Sequence, residues 1–186
     1  MEAIEHNGHT IQVFQDEDPM NPRTEFDNLA TFVCFHGRYD LGDEEHGYNK
    51  DDFISWNDLR EQIEKDHDPV VIVPLYLFDH SGLSLASDSS TFSACDSHGW
   101  DWGQVGWAFI PKNIAHLDDE TIETCQKVLQ GEVETYGQYL SGDVWCFTAP
   151  DGEDDTETIC GIFGYDEAVE DAKMHVDAIF ETEEGN

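Results

Sequence analysis

The sequence predicts an α+β fold: one domain with a mainly antiparallel mixed sheet and two or three helices packed on it. Three observations carry that expectation. Short runs rich in β-branched and aromatic residues recur along the chain, bounded by Gly, Pro, Asn and Asp. Two longer segments repeat apolar residues at spacings of three and four, the helical period. Strands and helices come in runs, without the strict βαβ rhythm of a parallel sheet. The 186 residues contain no internal repeat and no composition break that would mark a linker. A single domain over 1–186 is therefore expected, with 1–9 and 181–186 frayed.

Taken in order, Thr10–Gln15 (T-I-Q-V-F-Q) alternates apolar and polar side chains and reads as the first strand. Asp18-Pro19 and Asn21-Pro22 break the chain after it. Leu29–His36 is apolar almost throughout and reads as a buried strand, and the polar Gly37–Asp52 as a long surface loop. Ser55-Trp56-Asn57-Asp58 opens a helix by a capping-box pattern in which Asp replaces the usual Glu. Trp56, Leu59 and Ile63 form the inner face of that helix, which ends near Asp66. Val70–Phe78 has the strongest strand pattern, and its continuous apolarity suits a central position. Pro74, lacking an amide donor, points instead to an edge or a bulge. Asp79–Gly82 is a turn, Leu83–Ala86 its hairpin partner, Ser87–Asp101 a polar connection, and Gln104–Ile110 a strand stopped by Pro111. A long helix runs from a cap at Asp118 or Asp119 to Leu140, with Ile122, Cys125, Leu129, Val133, Tyr136 and Leu140 in one stripe. Gly131 and Gly137 each cost about 1 kcal/mol relative to Ala and mark places for a kink. Asp143–Thr148 and Thr158–Phe163 are the last strands. Asp166 caps a final helix whose inner face is Val169, Ala172, Val176 and Ile179.

The chain carries 42 Asp and Glu against 8 Lys and Arg, for a formal net charge of -34 at pH 7. Disordered acidic chains are poor in aromatics, so the 5 Trp, 6 Tyr and 11 Phe exclude wholesale disorder. An acidic surface repels phosphate backbones and anionic lipid, so neither direct nucleic-acid binding nor membrane binding is expected. No run approaches 18 apolar residues, and Met1–Thr10 has neither a cationic start nor an apolar core. Neither a spanning helix nor a signal peptide is expected. A monomer of this size exposes on the order of 9,000 Å², which places the carboxylates about 15 Å apart. That is about two Debye lengths at physiological salt, whereas molar salt screens charges beyond about 3 Å. The acids are dispersed, from Asp16-Glu17-Asp18 to Glu183-Glu184, and Lys is scarce. This composition suits the high-salt cytoplasm of a halophilic cell. A DNA mimic is the sharper alternative, but it requires carboxylates concentrated along one elongated face. Five cysteines (Cys34, Cys95, Cys125, Cys146, Cys160) are an odd number without an export signal. They predict free thiols in a reducing cytoplasm and no disulfide framework.

Five groups of residues are candidates for chemistry. Cys34 and His36 share one face of a strand, and Cys95 and His98 have C-x-x-H spacing. Together they make a tetrahedral N/S set for zinc or another divalent metal, the one cofactor the sequence suggests. Paired C-x-x-C half-sites are absent, and a buried thiol beside Phe32 with a loop histidine accounts for the same residues. Asp79 can orient His80 as a general base, or both can bind a metal with Asp101 or Glu132; an Asx-type turn accounts for the pair as well. His36, Asp79, His80 and Glu132 are thus the candidate catalytic set of a small metal-dependent hydrolase. Glu132 and Tyr136, one helical turn apart, can converge on one site. Arg38 is either a fork for a carboxylate or phosphate, or a tie to Asp40 or Asp43 in its own loop. Trp100 and Trp102 are the candidate aromatic platform for a sugar, a base or a partner protein, and Trp107 belongs to the core. No G-x-S-x-G, phosphate-binding glycine loop, H-E-x-x-H or dinucleotide fingerprint occurs.

Several stretches have a recognisable pattern: N-P-R (21–23), D-N-L (27–29), V-C-F-H (33–36), R-Y-D-L-G-D (38–43), P-L-Y-L-F-D-H-S-G (74–82), G-Q-V-G (103–106), E-V-E-T-Y-G-Q-Y-L-S-G-D-V (132–144) and C-G-I-F-G (160–164). They resemble a family of uncharacterised small proteins carried by tailed phages, prophages and haloarchaeal viruses. The resemblance spans roughly residues 10–165. Members read N-P-R-E-W-D-N and W-D-S-G-Q-V-G where this chain has an extra Thr24, Phe26 for Trp, and Trp102 for Ser. The resemblance implies a viral or mobile-element origin and no particular mechanism. The resulting expectation is a salt-adapted, cytoplasmic accessory protein that acts by protein–protein contact, with oligomeric state open.

Overall fold

The structure is a computed structural model that describes residues 1–93, 96, 98–114, 119–152 and 155–180. Among these residues the strands are β1 (Glu2–His6), β2 (His9–Gln15), β3 (Thr31–Cys34), β4 (Pro69–Asp79), β5 (Leu83–Ala86), β6 (Trp102–Pro111), β7 (Val144–Pro150) and β8 (Thr156–Phe163). The helices are α1 (Pro22–Glu25), α2 (Trp56–His67), α3 (Ser90–Ser93), α4 (Asp119–Ser141) and α5 (Tyr165–Phe180). Every strand pairing is antiparallel, so the class is α+β. The strands are shared between two four-stranded sheets, β1-β2-β7-β8 and β3-β6-β4-β5. Correspondingly the chain divides into two compact units, one of residues 1–20 and 141–186, the other of residues 21–140. No helix among the described residues is long and apolar enough to cross a membrane.

In the larger unit, alternation along the strands sends side chains to both faces of the sheet. Phe32, Leu75, Ala108 and Ile110 pack with Cys125, Leu129, Val133 and Tyr136 of α4. Val33, Trp107 and Phe109 pack with Leu59 and Ile63 of α2. The sheet is therefore covered on both faces, and each fully buried Leu or Ile contributes about 1.5–3 kcal/mol. Ser55 caps α2 by accepting from the Asp58 amide at 3.1 Å, and Asp68 ends it in the left-handed region at φ 42°. Pro74 is tolerated because β5 reaches only from Tyr76 to Asp79, which leaves β4 an edge at Pro74 on that side. α4 runs unbroken through Gly131 and Gly137. A methyl group at Gly137 would meet the Leu85 carbonyl oxygen at 2.9 Å, so this glycine serves the helix–strand approach and marks no kink. Ile122, at the start of the expected stripe, is 37% exposed.

In the smaller unit, Ile11 and Val13 of β2 and Phe147 and Ala149 of β7 pack against Ala168, Ala172 and Val176 of α5. Tyr165 begins that helix, so Asp166 lies in its first turn and is not its cap. Val169 and Ile179, expected on the inner face, are only half-buried. The N-terminal residues expected to fray instead form β1, joined to β2 through Asn7 (φ 47°) and Gly8 (φ 82°). Two central residues with positive φ make the tight turn that Asn-Gly favours in hairpins. Cys146 and Cys160 are bonded across β7 and β8 with Cα atoms 4.0 Å apart, which corrects the expectation of free thiols throughout. Cys34 and Cys125, both buried, are free. The odd cysteine count hides a facing pair, because register, and not spacing, brings the two strands together. Residue 118 and residues 181–186 lie outside the described residues.

Candidate functional site

Antiparallel pairing in the larger unit puts the C-terminal ends of β3 and β4 and the start of β6 at one end of the sheet. Cys34 faces Gly106, and Phe78 faces Trp102. A methyl group at Gly106 would stand 2.0 Å from the Val33 carbonyl oxygen, so only glycine allows β3 this close. The segments that leave these strand ends enclose a cleft of about 310 Å³, lined among others by His36, Arg38, Asp79, Trp100, Asp101 and Trp102. The structure thus brings together residues that lie up to 66 positions apart in the chain.

Arg38 pairs with Asp79. The Tyr39 hydroxyl donates to the same carboxylate at 3.4 Å, and its ring stacks on His36 at 5.0 Å. Arg38 therefore reaches across to the β4 end, and the tie to Asp40 or Asp43 in its own loop does not form. His80 lies outside the cleft lining; its Nδ1 is 3.0 Å from Asp101 Oδ2, with both side chains largely exposed. The turn that carries Trp100 is built by Asp96. That carboxylate accepts from the amides of His98 at 3.1 Å, Trp100 at 2.6 Å and Asp101 at 3.0 Å. These bonds, led by the one from Asp101, hold the Asp96 carboxyl below its ordinary pKa range. Trp102 Nε1 donates to the Asp96 carbonyl at 2.8 Å, so Trp102 is half-buried as part of the turn's support. Trp100 is 86% exposed. Trp107 is core, as expected, and donates to the Trp56 carbonyl at 2.9 Å.

Glu132 is elsewhere. Its carboxylate accepts from Arg23 Nη1 at 2.8 Å and from the amides of Leu29 at 2.8 Å and Ala30 at 3.2 Å. Arg23 also grips Asp43 with two nitrogens, at 2.8 and 3.0 Å, and donates to the Ala30 carbonyl at 2.7 Å. Burial alone would lower the Arg23 pKa, but Asp43 and Glu132 override it and hold the guanidinium above its usual value. With its oxygens occupied in this way, Glu132 is a structural anchor and does not join His36, Asp79 and His80. Tyr136, one turn along α4, accepts from the Gly42 amide at 3.0 Å, so the two α4 side chains do converge, on the 21–43 segment. Arg23 is absent from the sequence candidates, and Asp43 enters them only as a partner for Arg38; the available signal is that Arg23 is one of only three arginines.

Three members of the expected metal set, Cys34, His36 and His98, fall among the described residues. Cys95 lies outside the described residues, and Cys34, His36 and His98 do not bring three ligand atoms within 4.8 Å of one another. Burial, with Asp43 adding to it, pushes the Cys34 thiol up to about 12, the behaviour of an inert buried cysteine. On its other side His36 borders a larger, polar pocket of about 650 Å³, lined also by Asp43, His46 and Tyr136. Burial lowers the His46 pKa against the opposing pull of Asp43. Compared with family models, curated proteins and solved structures, the chain matches none.

Proposed function

We propose that this chain is a salt-adapted accessory protein of viral or mobile-element origin, resident in the cytoplasm of a halophilic cell. It acts by binding a basic protein surface through the rim of the Trp100 cleft. The observation that carries the reading is the exposure of Trp100 on a turn fixed by three amide bonds to Asp96. A tryptophan on a fixed turn has only two side-chain torsions to order on binding, and Trp is enriched among contact hot spots. The carboxylates of Asp96 and Asp101 beside it complement a cationic partner and steer its approach. The acidic surface and the family resemblance supply the salt adaptation and the origin.

The test is capture of partners on the immobilised full chain in molar KCl, followed by affinity measurement on the partner identified. Trp100→Ala removes the anchor without touching the Asp96 bonds and is expected to weaken binding about 30-fold, the scale of a 2 kcal/mol hot spot. A partner bound equally well by the variant sinks the proposal. A second reading, a small hydrolase, rests on His36 and Asp79 lining one cleft, with His80 paired to Asp101 at its edge. It has to work without Glu132. Turnover of ester or phosphoester probes that disappears in His36→Gln would establish it.

A further inference from the structure

A second cluster lies in the smaller unit, where the β7–β8 hairpin meets α5. The register pairs Ala149 with Glu157. Ala149 is fully buried in the core shared with α5, and cross-strand partners point to the same face of a sheet. The Glu157 side chain therefore leaves the sheet on its helix side, near the rim, and is half exposed. Asp151 follows β7 at the hairpin tip, where its amide donates to the Asp155 carbonyl at 3.1 Å. His175 sits on α5 beside the buried Val176, its ring tilted against Phe147 at 5.7 Å. One ligand atom from each of Asp151, Glu157 and His175 lies within 4.8 Å of the other two.

The decisive observation is the histidine nitrogen. His175 Nε2 is buried and has no hydrogen-bond partner. It is 3.9 Å from Glu157 Oε2, too long for a hydrogen bond yet close to the separation of two ligands on one cation. An unpartnered buried nitrogen is costly, and a cation between these groups would satisfy it. The other such set among the described residues, Asp16 with Cys146 and Cys160, is closed by the bond between its two sulfurs.

We propose that Asp151, Glu157 and His175 bind a divalent cation, Zn²⁺ or Mn²⁺, through one imidazole nitrogen and two carboxylates. The imidazole selects these ions over Mg²⁺ and Ca²⁺, which prefer oxygen ligands alone. The three ligands leave further coordination positions to water. The bound ion would tie the hairpin tip to α5.

The experiment is calorimetric titration of the chelator-stripped full chain with Zn²⁺ and with Mn²⁺ in 2 M KCl, where diffuse attraction to the other carboxylates is screened. The expected result is one saturable ion per chain, with Asp151→Asn and Glu157→Gln each weakening it at least tenfold. Asp151 is exposed, so its variant retains the fold. Mn²⁺ is also expected to broaden the His175 imidazole proton resonances ahead of those of the other histidines. Absence of saturable binding in 2 M KCl overturns the proposal. So does binding that both variants leave unchanged, which would place the ion on another cluster.

Discussion

The two units carry similar formal charge, -18 on the smaller and -16 on the larger, but the smaller concentrates it in 66 residues against 120, and the two are held together differently. Residues 1–20 and 141–186 carry 19 Asp and Glu, with Lys173 as their single Lys or Arg; residues 21–140 carry 23 acids and the other seven cations. The larger unit places Arg23 at the centre of its fold, where one guanidinium joins Asp43, Glu132 and the Ala30 carbonyl. The smaller unit has no arginine and uses other devices. A disulfide links β7 to β8, and carboxylates meet neutral or weakly basic donors: His6 and Asn7 on Asp177, Tyr165 on Glu2, Thr10 on Glu5. Where cations are scarce, a covalent bond and polar side chains do what an ion network does elsewhere.

Removing Arg23 is the strongest way to break this contrast. Arg23→Met keeps much of the stem that packs over Phe32, where the guanidinium carbon lies 3.9 Å from the ring centre, but deletes the charge. Asp43 and Glu132 then face each other's charge with only backbone amides as partners. Breaking a buried pair on one side costs about 3–5 kcal/mol. The expected outcome is an unfolding free energy lowered by that amount, read as a lower urea midpoint at unchanged m-value. A loss under about 1 kcal/mol would mean that the amides of Leu29, Ala30 and Phe32 suffice to hold both carboxylates.

How much of this was legible in the sequence follows the range of each interaction. α2, α4 and α5 were readable because their apolar spacing is local, and so were the main strands. Partners were not readable. Nothing in T-I-Q-V-F-Q says that β2 pairs with β7, more than 120 residues away, so two sheets look like one. The Asn7-Gly8 pair is a legible hairpin signal, but the polar residues around it have the composition of a tail. His36, Arg38, Asp79, Trp100 and Trp102 were each singled out on chemistry, and the fold places them in one cleft. Glu132 failed as a member because its partners, Arg23 and Asp43, come from loops whose position no local pattern encodes.

The cross-strand bond is the corresponding lever on the smaller unit. It closes a loop with a sequence separation of 14, and tethering a loop of that size removes about 3 kcal/mol of unfolded-chain entropy. Replacing Cys146 and Cys160 together by Ser avoids a lone thiol. It is expected to cost about 2–3 kcal/mol in urea, somewhat less than the loss of Arg23. Parent protein in reductant should fall to the same midpoint. If reduction leaves the midpoint unchanged, the β7–β8 ladder and the α5 core carry the smaller unit without the cross-link.

Salt gives the smallest effect and the sharpest comparison. At 0.1 M salt the Debye length is about 10 Å, and at 2 M it is shorter than an ion pair, so lowering KCl restores repulsion between carboxylates without altering a contact. General salting effects act on both units, so the informative quantity is the difference between them. The smaller unit has one cation against 19 acids and should respond more. Amide hydrogen exchange resolves the two directly: β2, β7 and α5 report one unit, β6 and α4 the other. Between 2 M and 0.1 M KCl, exchange in the smaller unit is expected to quicken by up to about tenfold more than in the larger, a difference of about 1.4 kcal/mol. Equal acceleration would show that each unit feels the charge of the whole chain and that its local deficit of cations is immaterial. A larger response from the residues 21–140 would reverse the argument, placing the sensitivity in the long polar loops of that unit and not in the count of cations.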